Sequence, residues 1–355
     1  MMTLERDSLI IRFPEVHPKA ETRISFQRTL RIPDDTKEYP LPPGLGRFPL
    51  VHTDDFAARL PKAWRERGGV MLPMHRAEAM WISFEGRHTA GYPCAIKIAA
   101  GKINAVSGKR WRGSLSKAER DYVVVPGQPW LDGYCVAKGQ IRQFVAMPLG
   151  AGYTAEEQIT GKPEHGGLQL IVYPMKAERF EAIEKARREA EARERRRVAC
   201  ESSAIMMRCA APMFAIGGAG ASSMGLAAGG RMRQDIYADP HGLDAWETSA
   251  SSRCFVTMLD AAQWQELTGK ATPTKAPTAA TYAKAGLPWF DYEAAGEAIG
   301  GAPELSALKS VAEVADEKGH DPLDNGEPVE ASPVITLGPS ALAGASSAKP
   351  TGSST

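Results

Sequence analysis

The N-terminal half of the chain contains one dense group of side chains with binding chemistry. Trp130, Asp132 and Tyr134 stand at alternate positions, and Arg142 and Gln143 follow closely. Aromatic rings can line a pocket while a carboxylate, a guanidinium and an amide fix the orientation of a ligand. The same residues also fit a turn anchored by a buried tryptophan, with Arg142 paired to a carboxylate. We favour this structural interpretation and keep the group as the leading candidate for ligand binding.

A second candidate is His165, which follows Glu164 in a predicted loop just before a strand. A histidine beside a glutamate can act as a general base or a metal ligand. The other six histidines are scattered along the sequence, and no G-x-S-x-G nucleophile motif is present. We therefore favour a loop histidine with solvent-facing neighbours. A hydrolase is the alternative, and it would need Asp132, Arg142 and His165 to converge in one pocket.

Three carboxylates and a histidine lie within the ten residues from Asp235 to Asp244. Their oxygens are not at the alternate positions that a Ca²⁺-binding loop requires. Asp239, Pro240 and Gly242 occupy the positions that a type I turn prefers, so turn chemistry explains the pattern. No cluster of cysteine and histidine has metal-ligand spacing. We predict no bound metal and no cofactor.

The stretch 209–230 has no charged residue, and 12 of the 14 residues from 217 to 230 are Gly, Ala or Ser. It is long enough to span a bilayer, which needs about 20 apolar residues. Few of its residues drive insertion, however, and its six glycines oppose a helix. The stretch also lacks the G-K-[ST] ending of a phosphate-binding loop. We predict a loop or linker, with membrane insertion as the alternative.

Charge and cysteine content exclude several classes of protein. Lys and Arg total 43 and Asp and Glu total 42, a formal net charge of +1, so we expect no nucleic-acid partner. The five cysteines are odd in number and form no C-x-x-C pair, which indicates a reducing compartment. The apolar run near the N-terminus is short and is followed closely by charged residues, so it does not fit the apolar core of a signal sequence. We therefore expect a cytoplasmic location.

The elements that position these residues follow from the hydrophobic pattern. Apolar and β-branched runs alternate with Gly and Pro up to residue 174, as in a multistranded β layer. Within 95–99, Lys97 alternates with apolar neighbours, which predicts a strand with one wet face. The next segment is rich in Ala, Glu, Lys and Arg, with Phe180 and Ile183 as its only large apolar anchors. This composition predicts a long helix whose surface is mostly in water.

The predicted organisation has five parts. They are a β-rich domain (1–174), a charged helix (175–200), a Gly/Ala-rich loop or linker (201–230), a mixed α/β segment packing on the first domain (231–319) and a disordered tail (320–355). The tail is predicted because large apolar residues become rare after about residue 320 and small polar residues dominate.

Four strings of the sequence resemble those of an uncharacterised family of bacterial and fungal proteins. They are Gln-Pro-Trp-Leu-Asp-Gly at 128–133, Ile-Arg-Gln-Phe-Val-Ala-Met-Pro-Leu-Gly at 141–150, Gly-Gly-Arg-Met-Arg-Gln at 229–234 leading into Ile-Tyr, and Leu-Pro-Trp-Phe-Asp at 287–291. Together they span most of residues 25–315. The resemblance implies no activity and no catalytic residue. It implies only that the two β-containing segments belong to one recurrent architecture.

The sequence therefore predicts an α+β fold with a β-rich, sandwich- or barrel-like N-terminal part, one long charged helix and a smaller mixed C-terminal part. The leading functional hypothesis is a soluble, non-enzymatic binding or assembly protein, in which the residues from Trp130 to Gln143, with His165, bind a ligand. Self-association or a protein partner is compatible with the long charged helix. Membrane contact is less favoured. The sequence does not indicate the ligand.

Overall fold

The fold is described by a computed structural model for residues 1–84, 91–198, 223–272, 276–292, 296–320 and 329–337, with the backbone alone at residues 194–198 and 223. The strands are β1 (Met2–Leu4), β2 (Ser8–Arg12), β3 (Glu21–Thr29), β4 (Glu38–Tyr39), β5 (Val51–His52), β6 (Val70–Met74), β7 (Ala79–Phe84), β8 (Cys94–Ala100), β9 (Ile103–Asn104), β10 (Val123–Val125), β11 (Trp130–Leu131), β12 (Gly133–Ala137), β13 (Gln140–Pro148), β14 (Leu168–Pro174), β15 (Ser223–Arg233), β16 (Ser252–Asp260), β17 (Trp289–Tyr292) and β18 (Val334–Leu337).

The helices are short, with one exception. They are α1 (Lys62–Arg67), α2 (Ala155–Thr160), α3 (Ala177–Val198), α4 (Ala261–Thr268), α5 (Ala279–Ala285), α6 (Pro303–Ser306) and α7 (Val311–Glu317), and single 3₁₀ turns occur at Asp54–Arg59 and Leu243–Ala245. Among the described residues, strands account for more residues than helices, so the predicted α+β class with a β-rich core is confirmed.

Sixteen of the described strands belong to one largely antiparallel sheet. Its main path runs β1-β2-β3-β7-β13-β15-β16-β14-β8-β10, and β4, β5, β6, β9, β11 and β12 pair beside it. Strands β15 and β16, from the predicted C-terminal segment, lie between β13 and β14 of the N-terminal one. The two β-containing segments therefore build the same sheet, instead of packing against each other as separate layers.

The last eight residues of the predicted Gly/Ala-rich loop or linker (201–230) belong to a central strand. Residues 201–222 lie outside the described residues, but 223–230 belong to β15, which pairs with β13 along most of its length. A Cβ atom at Gly225 would lie 2.7 Å from Cγ2 of Thr154, and one at Gly229 would lie 2.5 Å from Cγ2 of Val145. The small residues are therefore needed where neighbouring side chains press on the strand, a use of glycine that composition alone does not reveal.

The prediction that the strand around Lys97 has one solvent-exposed face is wrong, because all seven residues of β8 are buried. The Lys97 ammonium is only 1% exposed and forms an ion pair with Asp121. It also donates to the carbonyl of Ser114 and lies 5.8 Å from the ring centroid of Trp111. Residues that follow β9 therefore cover this face of the sheet and supply the counter-ion.

The long charged helix is present as α3, but only one of its two predicted anchors is buried. Phe180 packs on Tyr92 at a centroid distance of 4.3 Å, whereas Ile183 is 39% exposed. The turns beyond are held by ion pairs within the helix, such as Arg187 with Glu184 and with Glu191. No helix among the described residues is sufficiently long and apolar to cross a membrane.

Part of the predicted tail is ordered into a strand pair. Residues 321–328 and 338–355 lie outside the described residues, whereas β18 pairs in parallel with β17. The run Val334-Ile335-Thr336 is β-branched, which suits a strand despite the polar composition around it. This pairing places Thr336 beside Asp291.

Candidate functional site

Trp130 lies at the wall of a cavity of about 290 Å³, which we call the Trp130 pocket. It is lined by Glu38, Leu41, Trp130, Gly139, Arg233, Gln234, Asp235, Phe290, Asp291, Tyr292 and Thr336. These residues come from the ends of β4, β11 and β15 and from the β17–β18 pair. The pocket therefore exists only after segments from both halves of the chain have come together.

Backbone pairing places each wall of the pocket. Trp130 in β11 pairs with Ser83 of β7, which fixes one wall to the sheet. Arg233 is the last residue of β15, so Gln234 and Asp235 follow directly beyond the end of that strand. The opposite wall is β17, where the backbone of Phe290 exchanges two hydrogen bonds with Leu41, of 2.8 and 2.9 Å.

Trp130 is both a core residue and a pocket wall. Its side chain is 92% buried, with the indole ring 6.4 Å from Trp81 and 5.2 Å from Tyr292, measured between centroids. Its carbonyl oxygen accepts from the side-chain amides of Gln128 and Gln234, at 3.0 and 3.1 Å. The indole position is therefore determined by ring packing on two sides, and the Trp130 backbone is held by two side-chain amides.

Asp132 supports the pocket from behind Trp130 and does not line it. The indole Nε1 of Trp130 donates to its Oδ2 at 3.1 Å, while its Oδ1 has no hydrogen-bond partner within the described residues. Burial holds the pKa of Asp132 well above its usual range, and the single hydrogen bond from Trp130 opposes this only in part. A carboxyl group in this setting favours its protonated form.

This raised pKa predicts a pH dependence of stability. Because the folded state holds the Asp132 proton more tightly than the unfolded chain, the contribution of Asp132 to stability falls as pH rises from about 4 upward. Asp132→Asn removes the titrating group, so its free energy of unfolding should decline less steeply between about pH 5 and 8. Urea denaturation across that range measures both slopes. Burial also raises the pKa values of Asp34 and Glu78. Both residues are present in the wild type and in the variant, so their contributions to the two slopes cancel. Equal slopes would show that Asp132 is not protonated in the fold.

The charges at the pocket do not balance. Arg233 forms a two-pronged ion pair with Asp291, with N···O distances of 2.8 and 3.1 Å. Glu38 accepts from the side-chain amide of Gln140, and the carboxylate of Asp235 makes no ion pair within the described residues. Three carboxylates and one guanidinium therefore line the Trp130 pocket, a formal charge of −2.

Two of the other sequence candidates are structural. The hydroxyl of Tyr134 donates to the carbonyl of Leu226 at 3.0 Å. The side chain of Gln143 accepts from the Ile32 amide at 2.8 Å and donates to the Leu30 carbonyl at 2.9 Å. Gln143 thus joins the irregular segment after β3 to the sheet, and neither residue lines the Trp130 pocket.

Arg142 and His165 lie in separate networks. Arg142 is 3.4 Å from Glu313 of α7, which supports the predicted strand arginine paired to a carboxylate. His165 lies in a loop, as predicted, and its Nδ1 is 2.9 Å from the buried carboxylate of Glu156. The adjacent Glu164 is farther, at 3.9 Å. His165 therefore anchors its loop to α2.

The three residues of the hydrolase alternative do not converge. Arg142 lies opposite Arg231 in β15, whereas the amide of Gly167, two residues after His165, donates to Met224 near the other end of that strand. Seven residues of a strand span about 20 Å, well beyond hydrogen-bond reach. Asp132 has its own partner in Trp130.

Sequence reasoning named Trp130 as a candidate site residue, and it considered Asp235 only as part of a turn. Arg233, Gln234, Phe290 and Asp291 were not named as site residues, although they lie in two of the four strings quoted above. No local feature of the sequence marks Glu38 or Thr336 as site residues, because only the β4–β15 and β17–β18 pairings bring them to the pocket.

No family model, no curated protein and no solved structure matches the chain. Within the described residues, no group of three or more His, Cys, Asp or Glu side chains is placed to hold a metal ion. The site is therefore interpreted from its own geometry.

Proposed function

We propose that the protein is a binding protein that takes a small organic cation, an ammonium compound, in the Trp130 pocket. The single observation that carries the proposal is the combination of aromatic walls with excess carboxylate. Trp130, Phe290 and Tyr292 meet Asp235 at one cavity. Aromatic faces attract a desolvated cation by about 2 kcal/mol, and carboxylates add a longer-range attraction.

The size of the pocket supports a small ligand. Binding cavities for small molecules begin at about 300 Å³, and the Trp130 pocket lies at that lower limit. Arg233 does not reverse the preference for a cation, because Asp291 already neutralises it. An anionic ligand would have to displace that pair and approach Asp235 and Glu38.

The chemistry of the lining supports binding without catalysis. Among the described residues that line the pocket there is no Ser, Cys, His or Lys side chain. These types supply many nucleophiles and general bases, and the carboxylates that could also act as bases are the groups assigned here to the cation. The Trp130 pocket offers orientation and charge, which are sufficient for recognition.

Calorimetric titration with choline tests the proposal, with its uncharged carbon isostere dimethylbutanol as the matched ligand. Two aromatic contacts of about 2 kcal/mol each correspond to a Kd of about 1 mM for choline. The isostere should bind much more weakly, since it has the same shape without the charge. Equal affinities, or no heat from either ligand, would refute the proposal.

Asp235→Asn tests the role of the unpaired carboxylate. Loss of about 1 kcal/mol of attraction should weaken choline binding about fivefold and leave dimethylbutanol unaffected. Asp54→Asn, at an exposed aspartate outside the pocket, is the matched control and should change neither affinity. An equal loss in both variants would mean that choline responds only to overall charge.

We also propose a cytoplasmic location, for which the thiols supply the support. The described cysteines Cys94, Cys135 and Cys254 are free and buried. Burial raises the pKa of the Cys135 and Cys254 thiols to about 12, so they are poor nucleophiles. Unpaired buried thiols suit a reducing compartment.

A further inference from the structure

A second and larger cavity lies on the other side of Tyr292, between α3 and the loop that precedes the Leu243–Ala245 turn. Its volume is about 800 Å³, and we call it the α3 groove. The groove is defined by Pro93, Val125, Phe180, Ile183, Tyr237 and His241. It is independent of the Trp130 pocket except for the shared Tyr292 ring.

The apolar wall formed by α3 is fixed in place. Phe180 stacks on Tyr92 at 4.3 Å and meets the edge of His17 at 5.0 Å, so the first turns of the helix are anchored to the sheet. Ile183 comes one turn later and is 39% exposed, one of only five large apolar side chains exposed among the described residues. It lines the groove, and the fold therefore leaves apolar surface open there.

The opposite wall is held by a saturated carboxylate. Asp239 accepts from the Tyr122 hydroxyl at 2.6 Å, from the Trp246 indole at 3.0 Å and from the His241 amide at 2.7 Å. These three bonds fix the loop and leave the carboxylate fully engaged. The imidazole of His241 lies edge-on to Trp246, with a centroid distance of 5.8 Å. Its ring nitrogens make no hydrogen bond within the described residues.

The groove is lined by one guanidinium and three carboxylates, Glu184, Asp239 and Glu297. Glu184 is paired with Arg187, Asp239 is engaged by its three hydrogen bonds, and Glu297 is exposed to solvent. Arg187 forms ion pairs with Glu184 and Glu191, at 2.9 and 2.7 Å. No cationic side chain is left over to attract an anion. Burial lowers the pKa of His241, so its ring is neutral near pH 7 and offers one donor and one acceptor.

We infer that the α3 groove is a second binding site, for an uncharged and mostly apolar molecule whose one hydrogen-bonding group meets the His241 ring. The volume falls within the range of drug-sized ligands, and the lining has the usual composition of such sites, apolar walls with few polar groups. An anion is disfavoured because, among the described lining residues, the one cation, Arg187, is already paired, so the charge of the anion would be desolvated without a partner. A cation is disfavoured as well, because the Asp239 carboxylate is already engaged in three hydrogen bonds and Glu297 lies in solvent.

The fluorescent probe phenylnaphthylamine has the required chemistry, an uncharged apolar body with a single N–H. Titrated into the full chain, it should give a saturable rise in fluorescence with one probe per chain. Ile183→Asp places a charge in the apolar wall at an exposed position that the core does not need, and should weaken binding at least about tenfold. The variant should still bind choline, since Ile183 does not line the Trp130 pocket.

Leu243→Asp is the matched control, because Leu243 is 38% exposed and does not line the groove. Its probe affinity should equal that of the wild type. His241→Phe keeps an aromatic ring against Trp246 and removes the hydrogen bond, so affinity should fall about fivefold, the effect of about 1 kcal/mol. The absence of saturable binding, or equal losses in Ile183→Asp and Leu243→Asp, would overturn the site. Unchanged affinity in His241→Phe would overturn the assigned orientation.

Discussion

Replacing Trp130 with alanine is expected to lower the free energy of unfolding by about 3–5 kcal/mol, the range for large aromatic deletions from a core. The ring is 92% buried between Trp81 and Tyr292, so its removal leaves a cavity that the fixed strand pairings cannot close. Asp132 also loses the one hydrogen bond that its carboxyl group accepts within the described part of the chain, which adds to the destabilisation. Urea denaturation of the two proteins measures the difference.

Trp130→Phe separates the two contributions. Phenylalanine preserves most of the apolar contact and removes the indole N–H, so the loss should be clearly smaller than for alanine. A decrease of less than about 1 kcal/mol in Trp130→Ala would contradict the buried position. It would mean that Trp130 is only a pocket wall, with one face already in solvent.

The second large effect is expected at Lys97 and Asp121, the ion pair beneath Trp111. Asp121→Asn keeps an oxygen that can accept from the Ser116 amide, as Oδ1 of Asp121 does at 2.9 Å. It leaves the Lys97 ammonium, which is 1% exposed, without a counter-ion. Removing one partner of a buried pair destabilises a protein by about 3–5 kcal/mol, and we expect a loss in that range by urea denaturation.

The double variant Lys97→Met with Asp121→Asn provides the control. Because it removes both charges, it should recover most of the stability lost in the single variant. Glu66→Gln, which breaks the exposed Lys62–Glu66 pair in α1, should change stability by less than about 1 kcal/mol. If the double variant were less stable than Asp121→Asn, the buried charge would not be the cause.

Local signals in the sequence predicted the elements correctly where local chemistry decides. The charged helix was evident from composition, and α3 extends from Ala177 to Val198. Trp130 was predicted to anchor a turn as a buried ring, with a pocket wall as the alternative. It lies in β11, is 8% exposed and also lines a pocket.

The failures have a common physical cause, namely contacts between residues that are distant in sequence. The local sequence predicts a solvent-exposed Lys97 side chain, because it does not show that the distant Asp121 pairs with Lys97 in the fold. The glycines of β15 have the composition of a linker, but they are the positions at which the side chains of Thr154 and Val145 approach the strand too closely for a Cβ atom. Periodicity reports the faces of an element but not what covers them.

The candidate site was predictable only in part for the same reason. Trp130 is recognisable as an aromatic residue in a polar turn, but Arg233 and Asp291 become a site through sheet pairing. Tyr134 and Gln143 share the polar character that suggested a ligand, and both use it for backbone hydrogen bonds. Residue type cannot distinguish a polar group that holds a strand from one that faces a cavity.

The most direct test of cation binding at the Trp130 pocket is the indole N–H spectrum of the protein in ¹⁵N-labelled form. The chain has seven tryptophans, and the missing resonance in Trp130→Phe assigns the one from Trp130. Addition of choline should shift the Trp130 resonance saturably, with a Kd near that from calorimetry, while dimethylbutanol leaves it in place. If choline leaves the Trp130 resonance unmoved, or shifts all seven equally, the Trp130 pocket is not a cation site.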